Sequence, residues 1–135
     1  ADGIMCLYPG PSDTALDRND MCLVLKLTDG RFNGIFGGDI SSEVEKKLVK
    51  EYGDELSVDF YKANHHGSRY SSSADWIEAL SPRWAAVSCA AENRYGHPAD
   101  EAMDRLMDAK CRILYTMQSG QIKYKESTIY ENNRQ

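Results

Sequence analysis

Four side chains carry most of this sequence's capacity for chemistry. Asp39 follows two glycines at the end of an apolar run, RFNGIF then GGD. His65 and His66 stand together after a second run, LSVDFYKA. His97 precedes Pro98 at the entrance to a third, amphipathic stretch. The three histidines therefore border expected strands and helices, and none lies on the apolar face of a helix. In α/β sheets the loops at strand ends converge, and ligands bind there. A carboxylate can bridge two metal ions while imidazoles fill the remaining positions. Such a pair activates water and neutralises a phosphate or acyl oxyanion. The glycines allow the backbone to approach closely. Each signal has a plainer reading of its own. Gly-Gly-Asp is ordinarily a turn, adjacent histidines commonly sit in a solvated loop, and His97 can simply cap a helix. Their combination is the sharper observation.

Ser68, Ser71, Ser72 and Ser73 follow the histidine pair. They can bind a phosphate oxygen together with the N-terminus of the next helix, or Ser72 or Ser73 is an N-cap. Asp13, Asp17 and Asp20 form a loose acidic loop with no chemistry of its own. Trp76 and Trp84 read as packing residues. Tyr8, Tyr61, Tyr95 and Tyr124 form no stripe that would stack bases. Cys6, Cys22, Cys89 and Cys111 contain no CxxC pair. They read as buried free thiols, not as a zinc knuckle or redox pair.

The elements that must position these residues can be read from periodicity. Met21 to Leu27 alternates, Thr28-Asp29-Gly30 turns, and Arg31 to Phe36 returns, which predicts a β-hairpin. Ser42 and Glu45 are spaced as a capping box, so a helix starts there. Val44, Leu48, Val49 and Tyr52 form its inner face, and Gly53 ends it. Leu56 to Ala63 predicts a strand, Ser73 to Leu80 a short helix, and Trp84 to Cys89 another strand. Pro98 suits the first turn of a helix over Ala99 to Ala109. Arg112 to Thr116 and Gln121 to Lys125, joined by Ser119-Gly120, predict a closing hairpin. The last six residues, YENNRQ, read as frayed. This order predicts one α/β domain over residues 1–135, with a mixed sheet covered by helices on one face. The first twenty residues, rich in Asp, Pro and Gly, offer little to pack, so the chain reads as starting partway through a fold.

Composition sets the class. Among 135 residues, 41% are apolar and 27% charged, which describes a globular domain and not a disordered tail. Sixteen Lys and Arg against 21 Asp and Glu leave a formal charge of −5. That balance disfavours gripping nucleic acid by bulk charge. No run of about 18 apolar residues predicts a membrane span, and the first residues lack the pattern of a signal peptide.

Three segments, GGDIS (Gly37 to Ser41), ANHHGSRYSSS (Ala63 to Ser73) and ENRYGHP (Glu92 to Pro98), together resemble the metallo-β-lactamase superfamily. The nearest subgroup is the hydrolase domain of ComEC-type competence and DNA-uptake proteins. The resemblance covers about Asn19 to Lys125. It implies an αββα sandwich of which this chain is the C-terminal half. It implies that Asp39 bridges two divalent metal ions, Zn or Mn, and that His66 is a further ligand. His65 could instead be that ligand, and the sequence does not separate the two. The other histidine, with Ser68, would face a substrate phosphate. His97 would lie beside the metals as a proton-handling group, in a loop shaped by Asn93 and Tyr95.

The departure from the pattern is the missing HxHxDH motif of the N-terminal half. Two or three ligands are too few for a closed site. The expectation is therefore part of a metal-dependent phosphodiesterase or nuclease. Alone the chain would bind metal weakly and be inactive. Its partner would be its own N-terminal half or a second copy, and its substrate DNA or another phosphodiester, with no membrane contact. The alternative is a degenerate, non-catalytic member acting as a binding module.

Overall fold

The computed structural model describes residues 2–14, 18–125 and 128–132. Six strands form one mixed sheet in simple sequence order, β1 to β6. They are β1 (Gly3–Tyr8), β2 (Val24–Asp29), β3 (Phe32–Phe36), β4 (Phe60–Lys62), β5 (Trp84–Val87) and β6 (Arg112–Tyr115). β1, β2 and β3 are antiparallel neighbours. β3 through β6 run parallel. Each parallel step crosses over through a helix: α1 (Ser42–Tyr52), α2 (Ala74–Leu80) and α3 (Asp100–Asp108). Such crossovers are almost always right-handed. Because all three step across the sheet in the same direction, all three helices fall on one face.

Alternation along the strands then sorts the core. Ile35, Tyr61, Ala85 and Val87 face the helices and pack with Leu48, Trp76, Leu80 and Leu106 in one large cluster. Phe32, Phe60 and Ala86 face the other way. A second, two-stranded sheet packs there, made of β7 (Gln121–Lys125) and β8 (Thr128–Asn132), through Ile122, Tyr124 and Ile129. The Phe32 and Tyr124 rings stack 3.9 Å apart at 18°. Among the described residues no helix is long and apolar enough to cross a membrane.

Several expectations need correction. The opening residues do pack: β1 pairs with β2, and Leu7 and Tyr8 are buried. Asp17 lies outside the described residues. Asp20 is buried and its Oδ1 accepts the Ser41 N–H at 2.9 Å, so it anchors the start of α1. The N-cap of α1 is Ser41, and Glu45 makes no capping box but turns inward. The strand expected over Leu56 to Ala63 is paired only at Phe60–Lys62, because Gly53–Leu56 forms a helical turn. Thr116–Ser119 also turns helically, so Gln121 to Lys125 leaves β6 and pairs with β8, and residues to Asn132 are in a strand. All four thiols are free; Cys6 is exposed and the other three are half-buried.

Candidate functional site

The carboxyl ends of four parallel strands converge at one edge of the sheet. Gly37-Gly38-Asp39 leaves β3, Asn64-His65-His66-Gly67 leaves β4, Ser88 to Asn93 leaves β5, and Thr116 leaves β6. Asp39, His65, His66 and His97 meet there. His66 Nε2 lies 3.6 Å from Asp39 Oδ1. The His65 and His97 rings sit edge to face with centroids 5.6 Å apart. His97 also stacks on Tyr95, at 5.9 Å and 19°.

The histidine turn needs unusual backbone. His65, His66 and Gly67 all have positive φ, at 48°, 56° and 80°. Each non-glycine residue in this region costs about 1–2 kcal/mol, so neighbours must hold the turn in place. The His65 N–H donates to Gly38 O at 2.8 Å, and the Ala99 N–H donates to Gly67 O at 2.8 Å. Only a glycine fits at 67, since a Cβ there would lie 2.9 Å from Pro98 Cβ.

One contact separates the two histidines chemically. His66 Nδ1 lies 2.6 Å from the Ser88 carbonyl oxygen. A carbonyl only accepts, so Nδ1 carries the hydrogen, and in the neutral ring Nε2 presents a lone pair. That lone pair faces a carboxylate oxygen too far away for a hydrogen bond. An imidazole that donates one nitrogen to a backbone carbonyl and offers the other is the usual arrangement of a metal-ligating histidine. His65 has no such fixed donor; it lines a neighbouring cleft of about 210 Å³ with Ser68, Arg69 and Tyr95.

The fit to a metal is therefore partial. Asp39 and His66 suit two donors of a shared cation. Among the described residues no three His, Cys, Asp or Glu side chains come together to hold one.

His97 closes the cleft on the other side. Asn93 folds its loop by accepting the Tyr95 and His97 N–H groups at 3.1 Å each and donating to His97 O at 2.6 Å. His97 Nδ1 is buried without a hydrogen-bond partner. Burial first, then the nearby His65 and His66 rings, hold the His97 imidazole below its ordinary range. A cleft of about 390 Å³ lies between His66, Cys89, Asn93, Tyr95, His97 and Thr116.

The serines behave differently from one another. Ser73 is the N-cap of α2 and accepts the Trp76 N–H. Ser71 Oγ donates to Ile40 O at 2.7 Å, and Ser72 Oγ shares a hydrogen with Tyr61 Oη at 2.8 Å. All three are occupied inside the fold and do not form a phosphate cradle. Ser68 is buried, accepts the Tyr70 N–H at 3.3 Å, and lines the smaller cleft.

Sequence reasoning missed three residues. Lys62, at the end of β4, donates to Ala63 O at 2.7 Å; burial lowers its pKa, with Asp39 opposing. Asn64 and Glu45 are fully buried and hydrogen-bonded to each other at 2.8 Å. A charged residue at an otherwise apolar helical position was the available signal for Glu45.

No family model matches the chain. The chain is similar to bacterial competence proteins. It is 33% identical over 119 residues to ComE operon protein 3 of Bacillus subtilis, covering 88% of this chain and 15% of that protein. It is 31% identical over 124 residues to competence protein ComA of Neisseria gonorrhoeae, covering 91% and 18%. Recombination protein 2 of Haemophilus influenzae is 27% identical over 117 residues, covering 87% and 14%. The chain thus spans less than a fifth of the length of these relatives.

Proposed function

We propose that this chain is the C-terminal part of a metal-dependent hydrolase of the metallo-β-lactamase superfamily, acting on phosphodiesters in competence-linked DNA uptake. The observation that carries this reading is the Asp39–His66 pair. An anionic oxygen and an imidazole lone pair, fixed by Ser88 O, face each other 3.6 Å apart at the sheet edge where ligands bind. The names of the relatives supply the competence context.

In this reading Asp39 and His66 hold divalent cations, Zn or Mn, together with donors from an N-terminal segment. Bound cations would supply Lewis-acid stabilisation of the phosphoryl oxygens and an activated water. His65 and Ser68 line the cleft where the scissile phosphate would lie. His97, neutral at physiological pH because of its burial, can accept or return a proton there. The N-terminal segment would dock on the side of the sheet that β7 and β8 leave uncovered, where Phe36 and Ile4 are exposed. Without it, this chain alone would bind metal weakly and cleave nothing, and a second copy could take the open face instead.

The test uses the full-length protein with Mn²⁺ or Zn²⁺ and bis-p-nitrophenyl phosphate or DNA. Asp39→Ala is expected to abolish turnover and lose metal. His97→Ala is expected to keep metal but slow turnover roughly 10²- to 10⁴-fold. Full-length protein that binds DNA yet hydrolyses no phosphodiester with either metal would favour a non-catalytic binding module.

A further inference from the structure

Glu45 belongs to neither loop of the Asp39–His66 pair, yet it lies at their junction. It is fully buried on α1. Its Oε1 accepts the Ser72 N–H at 2.6 Å and the Asn64 Nδ2 amide at 2.8 Å, and its Oε2 accepts the Ser73 N–H at 2.8 Å. All three partners are donors, so the pocket suits a side chain that only accepts. Asn64 directly precedes His65 and is also fully buried. With Nδ2 held by Glu45, the Asn64 Oδ1 is turned against the Asp39 loop. A Cβ added at Gly37 would lie 2.4 Å from that oxygen. Beside this contact the two loops share one backbone bond, from His65 N–H to Gly38 O. Glu45 therefore fixes the orientation of the carboxamide wedged between a carboxylate loop and an imidazole loop.

We propose that Glu45 is a positioning residue: through Asn64 it sets the separation of Asp39 and His66, neither of which it touches. Its consequence for turnover rests on the functional reading above; the geometry does not. Glu45→Met leaves the Asn64, Ser72 and Ser73 donors without an acceptor, which frees Asn64 and lets the two loops drift. A misplacement of about 1 Å at a reacting group costs roughly 100-fold in rate.

NMR on this chain tests the geometry. In Glu45→Met the His66 ring ¹⁵N signals and the His66–Asp39 proton contacts are expected to move. Glu45→Gln, whose one oxygen can take the Oε1 place and keep the Asn64 and Ser72 bonds while losing the Ser73 bond, should leave them near wild type. Leu48→Ala, a cavity on the same helix, should leave them in place. A folded Glu45→Met with wild-type His66 signals would overturn the proposal. If that variant does not fold, Asn64→Ala decides, because it keeps both serine N–H bonds to Glu45; unchanged His66 signals there would also overturn it.

Kinetics on the full-length protein separate this idea from the functional reading. Glu45→Met should lower kcat roughly 100-fold with little change in KM. Unchanged kcat in an active enzyme defeats the positioning role alone. Moved His66 signals in a protein that hydrolyses nothing uphold the positioning and defeat the hydrolase reading.

Discussion

The two faces of the sheet are built to different standards. On the helical face, Trp76, Tyr61, Ile35, Leu48 and Leu80 are essentially without solvent contact, and three helices cover them. On the other face a single hairpin covers Phe32, Phe60 and Ala86. Beyond it the register carries an apolar surface on through Leu27 and Leu25 to Ile4, which is 69% exposed. The difference comes from connectivity. Every parallel crossover must place its helix on the same side, whereas the opposite side receives only the hairpin of β7 and β8. The site loops leave the carboxyl ends of the parallel strands, at the edge between these two faces.

The contrast can be broken most forcefully from the packed side. Trp76→Ala should cost about 3–5 kcal/mol, because a large side chain is deleted where little can collapse into the space. Urea unfolding would measure it, and a loss below about 1 kcal/mol would mean that the helical face is not the main source of stability. Tyr124→Ala removes a half-buried ring and its stack on Phe32, so about 1–2 kcal/mol is expected from the same measurement. Equal costs for the two substitutions would erase the distinction.

Acidity sharpens the comparison further. Burial holds the Glu45 carboxyl above its ordinary value of 4.5, against the N–H donors that lower it. A carboxyl raised in this way binds its proton more tightly in the folded chain. Its favourable contribution is complete below 4.5 and is lost as pH rises through the folded value. Stability measured upward from about pH 4 should therefore decline more steeply in wild type than in Glu45→Gln. A steeper decline in the variant would reverse the sign. The smallest effect belongs to the open face, where Ile4→Thr should change stability by no more than about 0.5 kcal/mol.

Much of this architecture was legible because it is local. The β2–β3 hairpin, α1, α2, α3 and the strand-end position of Asp39 and the histidines each arise from period and turn chemistry. The features that escaped depend on partners far along the chain. Glu45 stands three residues after Ser42, so local spacing suggested a cap. Its actual partners are Asn64, Ser72 and Ser73. β1 was hidden by its Asp-, Pro- and Gly-rich surroundings, although GIMCLY is long enough for a strand. The closing hairpin was misplaced because one helical turn after β6 redirects the chain, and nothing in TMQS announces it. Which of His65 and His66 has its Nδ1 held by the backbone was not readable from the sequence, since it turns on the distant carbonyl of Ser88.

The left-handed backbone at His65 and His66 bears on what a motif is. An excised peptide spanning Ala63 to Ser73 would spend almost all its time in other conformations, because two consecutive non-glycine residues with positive φ are disfavoured without support. The support comes from Gly38 O, from Ala99 N–H and from the space that Gly67 leaves beside Pro98. The letters NHHGS therefore encode a shape only where those distant groups are already in position. Transplanting them onto another strand end would carry the imidazoles across but leave their arrangement behind.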